Sequence, residues 1–216
     1  MTEADTVARY PVAEEWASSL IHGTGVVLSL AALPMLALAT RGGPRLVMLG
    51  ACVYGASLLL LYVASTLYHA LPSPRLRPVL RALDHASIFV LIAGTYTPFT
   101  LLTLRGAWGW SLFAFVWTLA LVGAVFEFRG TAPRGLRVAL YVALGWSGLV
   151  AIRPLVENLP AGGLWLLFGG GVCYTLGVPF YLWSKLPFNH ALWHVFVLGG
   201  SVLQFLAVWW YVLPAA

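Results

Sequence analysis

Charge is what this sequence has least of. Only 9% of its 216 residues are charged, against about 25% in an ordinary soluble domain, while 61% are hydrophobic. A chain this poor in charge cannot cover a globular surface with polar groups, so its solvent is lipid. Cysteine is scarce too. Cys52 and Cys173 both lie inside apolar runs, and there is no CxxC. They read as core residues and carry no message about redox compartment. The net charge of +5 is spread over loops, with no basic cluster interleaved with aromatics. No nucleic-acid partner is expected, and the arginines read as topology signals. No linker is long enough to separate one domain from another, and there is no internal repeat or low-complexity tract. The N-terminus lacks the order of a signal peptide, because Glu3, Asp5, Glu14 and Glu15 precede any apolar run.

What is present is a series of long apolar runs. A spanning helix needs roughly 20 apolar residues. Seven candidates qualify, over residues 16–39, 46–70, 83–104, 108–128, 135–152, 163–184 and 190–213. The fifth is the weakest, being short and flanked by Arg134, Arg137 and Arg153. Backbone groups in lipid must be satisfied within each segment, so these runs are helices. The expected fold is all-α: one seven-helix transmembrane bundle over 16–213, after a short N-terminal segment, 1–15. With the N-terminus inside, the inner segments carry Arg9, Arg75, Arg77, Arg81, Arg129, Arg134, Arg137 and Lys185, against Arg41, Arg45, Arg105 and Arg153 outside. Eight against four favours N-terminus inside, C-terminus outside. Trp and Tyr near several helix ends fit interfacial belts. Glycines 169, 170, 171 and 177 suit the sixth helix to close packing, and Pro98 and Pro179 to kinks.

Against this background the ionisable residues stand out, since each is costly within a membrane segment. All five histidines, His22, His69, His85, His190 and His194, lie in or beside predicted helices, together with Glu15 and Asp84. Helix order gives their depth. His69 closes the second helix, Asp84 opens the third, His190 and His194 open the seventh, and Glu15 and His22 lie near the start of the first. All fall at one end of the bundle, the cytoplasmic end if the N-terminus is inside. His190 and His194, like Ser65 and His69, are spaced i,i+4 and so lie about 40° apart on one helix face. Three imidazoles from two helices, with an aspartate or a water, make the four-ligand set that zinc prefers. His85 points about 100° from Asp84 on its helix, which suits packing as well as support of the site. Glu15 and His22 share a face and fit a supporting or entrance role. Ser65 on its own reads as a hydroxyl bonded to a helix carbonyl. Gln204 reads as an interhelical hydrogen-bonding group.

Four stretches carry a resemblance: "EEWASSLIHGTG" at 14–25, "ASTLYHALP" at 64–72, "LDHASIFVLIAGTYTPF" at 83–99 and "HALWHVFVLGG" at 190–200. Together they resemble the bacterial haemolysin III family, within the progestin and adipoQ receptor (PAQR) family, which is related to alkaline ceramidases. The resemblance covers nearly the whole chain. It implies a seven-helix bundle, N-terminus inside, in the inner (plasma) membrane, with zinc near the cytoplasmic face. It implies His69, His190 and His194 as ligands, with Asp84 and Ser65 near the metal as catalytic groups. One departure is visible: Ser18 stands where the family often has asparagine. Three functions follow as expectations. The first is a zinc-dependent hydrolase of a lipid amide or ester, with membrane lipids as partners. The second is a receptor or sensor with structural zinc. The third is a pore, for which no line of polar groups crosses the membrane.

Overall fold

The computed structural model describes residues 10–130 and 133–215, and among these all regular structure is helical. The helices are α1 (Val12–Ala39), α2 (Arg45–Ala70), α3 (Arg77–Pro98), α4 (Gly106–Arg129), α5 (Arg134–Trp146), α6 (Ile152–Asn158), α7 (Ala161–Leu182) and α8 (Asn189–Ala207). Helix α5 runs through a 3-10 stretch, Ser147–Ala151, into α6, so the two form one crossing. The described residues thus contain seven helical segments long and apolar enough to cross a membrane. Their outward side chains are apolar as well, among them Leu38, Phe115 and Trp165. On a soluble protein such a girdle would aggregate; in a bilayer it is the solvated face.

Prolines mark the entries. Pro11, Pro44, Pro133 and Pro160 stand immediately before α1, α2, α5 and α7. Each lacks a backbone N–H that a helix start would leave unpaired anyway. Inside α3, Pro98 removes a rung of the ladder, and the chain continues beyond it as a π-helical stretch, Phe99–Leu104. Two starts differ from the hydrophobic pattern. Helix α1 begins at Val12 rather than near 16, and α3 at Arg77 rather than near 83. The added turns hold Glu14, Glu15 and Arg77, which are buried. Apolar periodicity cannot see a helix turn whose charges are neutralised by each other.

Helix α3 packs between α2 and α4, α7 pairs with α8, and α1 bridges α2 and α8. The main core joins Tyr54, Leu58 and Leu61 of α2 to Val197 of α8 and to Val208 just past its end. Glycine permits the closest approaches. A Cβ at Gly25 would collide with the Tyr62 ring, and one at Gly200 with the Tyr174 ring. The packing therefore brings the end of α2 and the starts of α1, α3 and α8 to one end of the bundle.

Candidate metal centre

The last turn of α2 presents His69, and the first turns of α8 present His190 and His194. All three are buried. Their Nε2 atoms converge: His69 lies 3.2 Å from His190 and 3.1 Å from His194. These contacts are not a satisfactory pair of hydrogen bonds. His69 Nδ1 lies 2.6 Å from Glu15 Oε2, so that nitrogen carries the proton and donates to the carboxylate. The neutral ring then has one bare nitrogen, Nε2, with one lone pair, which cannot accept from both neighbours. A cation in the middle resolves the conflict. With metal–nitrogen bonds of about 2.0–2.1 Å, tetrahedral ligands stand about 3.3–3.4 Å apart, close to the spacing found. The buried three-histidine group can therefore hold a metal ion.

The outer nitrogens of the other two rings are also engaged. His190 Nδ1 lies 3.1 Å from the Tyr10 hydroxyl, and the two rings stack with centroids 4.5 Å apart. His194 Nδ1 lies 2.6 Å from His22 Nε2. A metal-ligating histidine characteristically gives its second N–H to such a partner, which fixes tautomer and ring orientation. Burial pushes the Tyr10 phenol well above its ordinary pKa, so Tyr10 stays protonated and neutral beside the ligand. Glu15 is held from its other side by Arg77 at 2.9 Å, and the Arg77 guanidinium lies over the Tyr68 ring. Glu14 accepts the backbone N–H of His190 at 2.9 Å, placing a carboxylate at the start of α8. The residue before α8, Phe188, adopts φ 56°, a left-handed conformation that few large residues take.

Asp84 is buried and lines a cavity of about 120 Å³, partly open to the outside, together with His22, His85, His190 and His194. The remaining wall is mainly apolar, including Leu91, Val138, Val178 and Val197. Ser65, one turn before His69, is fully buried, and its hydroxyl faces the Asp84 carboxylate. His85 lines the same cavity and also reaches a second cluster. Its Nδ1 stands 3.7 Å from Glu127 of α4, which is paired with Arg137 of α5 at 2.5 Å. The structure thus draws together His69, His190, His194, Glu15 and His22, sets Asp84 on the adjoining cavity wall, and leaves His85 facing the α4–α5 ion pair. Tyr10, Glu14 and Arg77 were not singled out from sequence as members of the site. The pair Glu14–Glu15 ahead of an apolar run was a usable signal; Tyr10, outside any helix, offered none.

The family model described as "Haemolysin-III related" matches residues 10–205. The chain is 47% identical to "Hemolysin-3" of Bacillus cereus over 219 residues, covering 100% of both chains. It is 43% identical to "Hemolysin-3 homolog" of Bacillus subtilis (strain 168) over 204 residues, covering 94% of this chain and 96% of that one. A more distant likeness, 31% over 188 residues, joins it to "Heptahelical transmembrane protein ADIPOR2" of Oryza sativa subsp. japonica, covering 76% of this chain and 80% of that one. This last match supports the link to the PAQR family.

Proposed function

The chain belongs to the haemolysin-III-related family of multi-pass membrane proteins, and from that premise and the site's geometry we propose that it is a zinc-dependent hydrolase of a lipid amide or ester. The observation that carries the reading is the convergence of three Nε2 atoms, those of His190 and His194 on residues that line a mainly apolar cavity, with Asp84 on the same wall. Three imidazoles with a fourth position free of protein ligand suit catalytic zinc, whereas structural zinc sites are usually closed by four protein ligands. Among the described residues the metal-competent group has three members.

When bound, zinc lowers the pKa of a coordinated water to about 7 and polarises a nearby carbonyl. The remaining work falls to the chain itself. Asp84 accepts the proton as the water oxygen attacks the lipid carbonyl carbon. The same proton passes to the nitrogen or oxygen that leaves when the C–N or C–O bond breaks, giving a fatty acid and an amine or alcohol. Ser65 donates its hydroxyl proton toward the developing oxyanion, an interaction of a type that contributes about 2.7–4 kcal/mol. The apolar wall receives the acyl chain. Moving that chain from bilayer to cavity exchanges one apolar surrounding for another, so selectivity rests on the polar end. The arginine and lysine distribution supports an N-terminus-inside orientation, which puts the site near the cytoplasmic leaflet of the plasma membrane.

The test is direct. Purified protein is assayed for bound metal and incubated with ceramide-like amides and with phospholipid esters, beside a His194→Ala variant. Fatty acid release by the wild type and not by the variant is expected. A metal-loaded wild type that releases no fatty acid from either substrate class would sink the hydrolase.

A further inference from the structure

We propose that α1 with its leading residue Tyr10, which supplies no metal ligand, braces all three ligating histidines and favours the tautomer that bares Nε2, so that metal binding and the docking of α1 onto α2 and α8 are coupled. The proposal rests on the metal reading of the three-histidine group and is independent of hydrolysis. Three separate contacts carry it. Glu15 accepts the Nδ1–H of His69 at 2.6 Å. His22 Nε2 faces Nδ1 of His194 at 2.6 Å. Tyr10 meets Nδ1 of His190 at 3.1 Å. The ligands come from two other helices, yet the second nitrogen of each finds its partner within residues 10–22. A fourth contact, Glu14 to the backbone N–H of His190, ties the same stretch to the start of α8.

The three partners differ in chemistry, and this orders their effects. Glu15 is a carboxylate braced by Arg77, the strongest acceptor of the three. His22 accepts through Nε2, which puts its own proton on Nδ1. That buried nitrogen has no hydrogen-bond partner among the described residues. His22 is therefore kept in this tautomer by what it does for His194, not by a further bond of its own. Tyr10 is neutral, and its hydroxyl can donate as well as accept, so it discriminates least between the tautomers of its ring. In each case the proton on Nδ1 leaves the Nε2 lone pair bare toward the metal. With α1 undocked, each ligand is free to carry its proton on Nε2, where it blocks coordination. Metal bound between α2 and α8 favours the docked state by the same free energy with which docking favours metal.

The experiment uses full-length protein in lipid nanodiscs, with Zn2+ affinity measured by chelator competition and the ligand field read from the visible absorption of the Co2+-substituted protein. Glu15→Gln and His22→Leu are expected to weaken Zn2+ binding about 10–100-fold, and Tyr10→Phe by less. The Co2+ bands should shift in intensity and position. His22→Gln, which restores an acceptor, should recover much of the loss. Glu127→Gln, in the separate α4–α5 ion pair, is the control. It should lower thermal stability and leave affinity unchanged, so that loss of stability and loss of orientation are told apart. Removing metal from the wild type should raise amide hydrogen exchange over residues 12–24 and not in α4. Wild-type affinity in all three α1 variants, or exchange in α1 indifferent to metal, overturns the coupling while leaving the metal site standing. A wild type that binds no Zn2+ overturns both.

Discussion

At the residue scale the site divides into groups that touch metal and groups that prepare them. The histidine pair of α8 was legible, because two imidazoles at i,i+4 in an apolar helix have few reasons to exist. His69 and Asp84 were legible once helix order gave their depth. The partners of the outer nitrogens were legible only in outline. Glu15 and His22 could be placed on one face of one helix, but nothing in a linear pattern says which ring each will meet. Tyr10 was invisible because it precedes its helix and has no periodicity to obey. Ser65 gives a prediction that belongs here. Its hydroxyl is buried beside the Asp84 carboxylate, and in the proposed reaction it turns to the developing oxyanion. Ser65→Ala is expected to lower the rate of lipid hydrolysis about 10²–10³-fold while Zn2+ affinity measured by chelator competition stays at the wild-type value. A parallel loss of affinity would show that Ser65 supports the metal rather than the reaction.

Single elements depart from the apolar pattern where side chains satisfy what the helix cannot. The fifth crossing was the weakest in sequence, and its structure shows why: α5 gives way to a 3-10 stretch at Ser147–Ala151 before α6 completes the span. Tyr96 of α3 spans this break. Its hydroxyl donates to the Gly145 carbonyl at 2.7 Å and accepts from the Gly148 N–H at 2.7 Å. Trp146 beside the break donates to Thr175 of α7 at 3.0 Å, so the cavity wall is pinned from two sides. No hydropathy window can foresee a break held by a phenol from another helix. Tyr96→Phe leaves these backbone groups, which lie within an apolar crossing, without that partner, a costly state where no water can replace it. The expected result is a lower thermal midpoint with faster hydrogen exchange concentrated in residues 145–151. Exchange that rises evenly along the chain would contradict a local clamp. Helix α3 makes the complementary point, since its first turn is helical through the buried pairing of Arg77 with Glu15.

For the whole molecule, the buried ionisable groups among the described residues gather at one end of the bundle, and the outward faces of the helices are mainly apolar. The seven crossings and the gathering of polar groups at one end were readable from helix order alone. The packing that joins α1 to α8, and so brings the chain's first and last crossings to the same ligands, was not, because it depends on side-chain pairings such as Glu14 with the His190 N–H and His22 with His194. A metal held between α2 and α8 ties those distant segments together. Chelation is therefore expected to lower the thermal midpoint, and zinc in excess to restore it, since a ligand at 1,000 times its Kd contributes about 4.1 kcal/mol. A midpoint indifferent to chelator would mean that the bundle does not depend on the ion. The most direct test of the central claim is elemental analysis of the purified protein and of its His194→Ala variant. One zinc per chain in the wild type, and essentially none in the variant, is the predicted result. A wild type without stoichiometric metal, or a variant that keeps it, would contradict the assignment of His69, His190 and His194 as the ligand set.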